Sequence, residues 1–98
     1  MTNGYKRISA VQTAFEILEY LADRAGPESP KEIAKAVKVP YGTAMSHIAT
    51  LCDGGYLVDE GSGVRIGTKM SGFWLKMKAG AEAKRTTIDE ALKVLGQI

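Results

Sequence analysis

All three prolines of this 98-residue chain fall between Gly26 and Tyr41, and they limit how long its first helices can be. Proline has no backbone N–H and clashes with the turn before it, so a helix accepts it only at the first turn. Gly26-Pro27 therefore closes whatever precedes it, and Ser29-Pro30 opens a new helix. Val39-Pro40 closes that one, because the residue before a proline avoids helical backbone angles. About two turns remain for the middle segment.

Apolar periodicity fills in the elements around these stops. In the first segment Ser9-Ala-Val-Gln12 has the spacing of a capping box, and Val11, Ala14, Phe15, Leu18, Leu21 and Ala22 recur at helical intervals. Ser29, Pro30 and Glu32 form a second start, with Ile33, Ala34 and Val37 as its apolar stripe and Lys31, Lys35 and Lys38 outside it. A third helix runs from about Tyr41 to Asp53 and stops at Gly54-Gly55. Its wheel puts Ala44, Ile48 and Leu51 inside and Gly42, Ser46, Ala49 and Asp53 on the opposite face. Two short helices joined by the tight turn Lys38-Val39-Pro40 make a helix-turn-helix.

Beyond Gly55 the period changes to alternation. Tyr56-Leu57-Val58 and Val64-Arg65-Ile66 read as strands joined by the turn Asp59-Glu60-Gly61-Ser62-Gly63. A lone hairpin is marginal in water, so it must lie on the helices. The expected fold is mainly α with a small β-hairpin: a winged helix-turn-helix over residues 1–67, followed by C-terminal helices over 68–98. Met70, Phe73, Trp74 and Met77 mark one of those helices, bent or ended at Gly80. Ile88, Ala91, Leu92 and Leu95 mark another, capped by Thr86 or Thr87. So short a chain has little core left to cover two further stripes, so 68–98 is read as a dimerisation or docking segment.

Composition narrows the function. The length suits one domain with an appendage and excludes an enzyme of separate cofactor and substrate lobes. One cysteine, Cys52, forms no internal disulfide, which fits a reducing, cytoplasmic setting. The opening residues are not a signal peptide, and no apolar run is long enough to cross a membrane, so no membrane partner is expected. A single histidine and a single cysteine supply no paired metal ligands, and neither a phosphate-cradling loop nor a paired-carboxylate site is present. No catalytic residue, cofactor or metal is therefore expected. Residues 1–60 carry 6 basic and 8 acidic side chains, and residues 61–98 carry 7 and 3, so the basic bias falls late.

From about Ile8 to Leu75 the chain resembles the N-terminal DNA-binding domain of the IclR-type transcription regulators. The residues that carry this are Ser9-Ala-Val-Gln-Thr-Ala-Phe-Glu-Ile-Leu18, Glu32-Ile-Ala, Val39-Pro-Tyr-Gly-Thr43, Ala49-Thr-Leu51, Gly55-Tyr-Leu and Arg65-Ile-Gly67. The resemblance implies a DNA-reading winged helix. It departs from the family at Ser46, where an arginine is usual, and at His47, where a leucine is. Such regulators also continue into a large effector-binding domain, and the expectation here is a chain without one.

On this reading the helix 41–53 enters the major groove, with Tyr41, Gly42, Thr43, Ser46, His47 and Thr50 nearest the duplex. Lys31, Lys35 and Lys38 lie on the preceding helix, where they meet phosphates or simply face water. Ser62 and Arg65 belong to the wing at 59–65, and Arg65 has Asp59 and Glu60 as alternative partners. His47 fits a half-buried structural role as well as DNA contact. The expected function is a transcription regulator that binds double-stranded DNA as a homodimer through residues 68–98; occupying a promoter either blocks polymerase, as a repressor does, or recruits it. The alternative is a winged-helix module that binds protein, motivated by a third helix without arginine.

Overall fold

A computed structural model describes residues 4–96 of the chain; the ends of the two expected segments, residues 1–3 and 97–98, lie outside the described residues. The elements run α1 (Ser9–Ala22), α2 (Pro30–Val37), α3 (Tyr41–Asp53), β1 (Leu57–Asp59), β2 (Val64–Ile66) and α4 (Thr68–Gly96). They group into two compact units, one ending at Thr68 and the other starting at Lys69.

The first unit is a winged helix-turn-helix. Its core is Ile17 and Leu21 from α1, Ile33 and Val37 from α2, Ile48 from α3, and Leu57 and Val64 from the hairpin. Every element of the unit contributes at least one side chain to it. The proline stops work as expected around α2: the Ser29 hydroxyl accepts from the Glu32 N–H at 3.2 Å, and Pro30 occupies the first helical position. At the other end Lys38 turns left-handed, with φ of 58°. Its N–H and that of Val39 donate to the Lys35 and Ala34 carbonyls and close the helix.

Helix α1 differs from expectation at both ends and on its face. Ile8, not Ser9, is its N-cap, and no side chain caps it; Ser9 is already helical, and its carbonyl accepts from the Thr13 hydroxyl. The helix ends at Ala22, short of Gly26-Pro27. Beyond it Glu28 reaches the hairpin, where its N–H and C=O both pair with Val64, at 3.0 and 2.8 Å. The buried line is Ile17 and Leu21, while Val11 and Phe15 are 45% and 57% exposed. The apolar residues of α1 span a wider arc than one neighbour covers, and the core takes only its Ile17 side.

In the hairpin β1 and β2 are antiparallel, with Leu57 opposite Ile66, Val58 opposite Arg65 and Asp59 opposite Val64. Gly67 follows, its N–H donating to the Tyr56 carbonyl at 2.8 Å. A Cβ there would stand 2.5 Å from the Gly55 carbonyl oxygen, so only glycine lets the two stretches of backbone pass this close.

The second unit is one helix. Sequence periodicity suggested a break at Gly80 and a new cap at Thr86 or Thr87, but α4 is continuous over 29 residues. A single glycine in a helix costs about 1 kcal/mol against alanine, which alanine-rich flanks at 79, 81 and 83 offset. Thr87 does not cap; its hydroxyl donates to the Ala83 carbonyl one turn back, at 3.0 Å. No residue of α4 is buried.

Candidate nucleic-acid interface

The site is built on α3. Ala44 and Ile48 anchor the helix in the core and Leu51 is half-buried, while Tyr41, Gly42, Thr43, Ser46, Ala49, Thr50 and Asp53 are exposed. Anchoring every fourth residue fixes the rotation of the helix, so the outward face is small and hydroxyl-bearing. Its first turn points free backbone N–H groups outward with Tyr41, Gly42 and Thr43, a setting suited to anionic oxygens. The Thr50 hydroxyl donates to the Ser46 carbonyl at 2.8 Å, which leaves it able to accept but not to donate elsewhere.

His47 sits apart from that face. Its Nδ1 lies 2.9 Å from the Thr43 carbonyl and its Nε2 lies 3.2 Å from the Ala10 carbonyl of α1. Both ring nitrogens lie near backbone acceptors; in the tautomer with the proton on Nε2 the imidazole donates to Ala10 and ties α3 to α1. Next to it Ala10, Val11, Ala14, Ser46, Thr50 and Leu51 line a groove of about 360 Å³ between the two helices. In the sequence Val11 and Ala14 read as part of the buried stripe of the first helix, not as lining of a site. The exposure of Val11, on a face expected to be core, is what opens this groove.

Lys31 and Lys35, four residues apart, share one exposed face of α2, and Lys38 is exposed at its C-cap. Lys35 has Glu32 at 3.9 Å, a solvated pair of small energetic weight. At the wing the Glu60 N–H donates to the Gly63 carbonyl, and the Gly61 N–H donates to the Asp59 carboxylate, each at 2.9 Å. Gly61 has φ of +82°, the left-handed value the turn needs. Ser62 is exposed at the tip. Arg65 is engaged, its Nε donating to Glu60 and its Nη1 to the Ile66 carbonyl at 2.9 Å. The ion pair thus ties the turn of the wing to its returning strand.

Cys52 is half-buried at the end of α3. Burial, followed by the negative charges of Asp59 and Asp53, pushes its thiol above the usual range, which disfavours the thiolate a nucleophile would need. Among the described residues there is no cluster of three metal-ligating side chains, and no helix is long and apolar enough to cross a membrane.

Over residues 10–61, more than half of the chain, the sequence matches the model of the IclR helix-turn-helix domain. The chain belongs to that family. It carries a DNA-binding regulatory domain of IclR type, and the matched residues hold α1, α2, α3 and β1 up to the turn of the wing. DNA is therefore the partner of this domain, and the family is not one of enzymes. No curated protein and no solved structure matches the chain.

Proposed function

We propose that this IclR-type protein is a sequence-specific, homodimeric transcription regulator that lays α3 in the major groove of duplex DNA. The observation that carries this reading is the division of α3 between a buried Ala44–Ile48 side and an exposed, uncharged side bearing Tyr41, Gly42, Thr43 and Ser46. Gly42 and Ala49 are small enough for the helix axis to approach the bases closely, while the hydroxyls and first-turn amides meet phosphates. Lys31, Lys35 and Lys38 supply backbone charge from α2. Ser62 touches the sugar–phosphate backbone from the wing, and Arg65 does so on exchanging Glu60 for a phosphate. His47 acts mainly by holding α3 at its angle to α1, and Thr50, its proton given to Ser46 of the same helix, offers only an acceptor to DNA.

Residues 68–98 form the dimer segment on this reading, and residues 1–67 the DNA-reading domain. Occupation of a promoter by two copies blocks polymerase and makes the protein a repressor. A reading with an observation of its own is the protein-binding module, because the wing's one cation is already neutralised by Glu60.

In vitro selection from a random duplex pool separates the two. Recovery of an inverted repeat with half-sites about one helical turn apart, bound less tightly as salt rises, supports the DNA reading. A pool that enriches nothing, together with no retardation of any duplex at low salt, excludes it.

A further inference from the structure

The unburied helix α4 carries a regular seam. Met70, Trp74, Met77, Ala81, Lys84, Ile88, Ala91 and Leu95 alternate at spacings of four and three, the repeat that keeps one face against a partner helix. Seven of the eight are apolar, and Met77, Ile88 and Leu95 are 74%, 59% and 64% exposed. A helix of 29 residues with no fully buried side chain and only Met70 of its seam half-buried draws little stability from packing, which is where most helical stability in proteins comes from. The seam therefore needs a partner, and its residue sizes select which.

We propose that α4 pairs antiparallel with α4 of a second copy, Met70 facing Leu95, Trp74 facing Ala91, Met77 facing Ile88 and Ala81 facing Lys84. This deepens the homodimer reading above and rests on it. In that register each layer sets a large side chain against a small one, or two medium ones together, and the volume per layer stays even. The largest residue, Trp74, meets one of the smallest, Ala91. The Lys84 stem lies over Ala81, with its ammonium free to reach water at the edge.

A parallel pair does the opposite. It stacks Trp74 on Trp74 and leaves Ala81 on Ala81 and Ala91 on Ala91, alternating excess volume with voids. It also sets Lys84 against Lys84 at a seam position, two like charges in a drying interface. The antiparallel pair keeps one unfavourable neighbour, Lys78 beside Arg85 of the second copy. Lys78 is engaged on its own helix by Glu82 at 4.0 Å and by the Trp74 ring at 5.2 Å, which moderates it. At 1.5 Å per residue this register sets the N-terminal ends of the two α4 helices about 40 Å apart. That separation is comparable with the roughly 34 Å between major-groove faces one turn apart, whereas a parallel pair would bring both ends together.

The test uses the full chain with Cys52→Ser, so that only introduced thiols react. Met77→Cys alone and Ile88→Cys alone should form no disulfide-linked dimer on mild oxidation. An equal mixture of the two should give a linked heterodimer. Self-linking of either variant, or a dimer by sedimentation equilibrium with no link in the mixture, overturns the antiparallel register and leaves the homodimer reading standing. A monomer at all concentrations overturns both. Because seam cysteines can loosen the helix, a spin label at exposed Ser71→Cys supplies a second reading: labels about 35 Å apart agree with the proposal, and labels within about 20 Å refute it.

Discussion

Lys38 concentrates two opposed demands on one residue. It closes α2 in a left-handed conformation, φ 58°, the only such non-glycine among the described residues. A side chain with a Cβ costs about 1 kcal/mol or more there. Glycine carries no such penalty, so lysine stands here against the backbone's preference, which fits a side chain placed for its charge at the turn into α3. Lys38→Gly should therefore raise the free energy of unfolding by about 1 kcal/mol, read from chemical denaturation. The same variant should bind duplex DNA less tightly, with its salt slope shallower by about one counterion. A more stable protein with an unchanged salt slope would show that Lys38 faces water and not phosphate. Arg65 shows the complementary case: both of its intended partners were visible as sequence alternatives, but only coordinates assign it to Glu60 over Asp59.

Among the elements, α2 and α3 were legible because their boundaries rest on local chemistry: a Ser29–Pro30 start, and a Gly54-Gly55 stop. The Glu28–Val64 pairing was not, since a single extended residue leaves no periodicity and its partner lies far along the chain. The face of α1 was misjudged for a different reason: apolar residues fill so broad an arc that periodicity alone does not show which side meets the core. The structure places Ile17 at the centre of the core and Phe15 in solvent. Ile17→Ala should then cost roughly 2–5 kcal/mol of stability. Phe15→Ala should change it by less than about 1 kcal/mol, because little of the ring leaves a packed environment. Equal losses for the two, measured by urea unfolding of the full chain, would mean that the α1 face is turned the other way. For α4, the opposite error arose: Gly80 and Thr87 look like boundary signals, yet glycine alone costs too little to stop a helix.

At the scale of the whole molecule, the division of labour follows from where the cores are. The unit ending at Thr68 has its own buried cluster drawn from α1, α2, α3 and the hairpin, whereas α4 has none. Stability therefore resides in the first unit, and on the proposed reading association falls to the second. An α3 face without arginine makes few strong base contacts, so one domain should bind a half-site weakly. Joining two domains turns the second contact into an intramolecular one and raises avidity by about 10²–10⁴ with no new contact to DNA. A chain ending at Thr68 should accordingly fold, sediment as a monomer and keep its affinity for a single half-site, while binding to the complete inverted repeat falls by about that factor. The two outcomes against this are distinct in a gel shift. Unchanged binding of the truncated chain to the full repeat would place the dimer contact within residues 1–68, where the exposed Val11 and Phe15 of α1 offer it a surface. Loss of half-site binding as well would make α4 part of the DNA-reading unit itself.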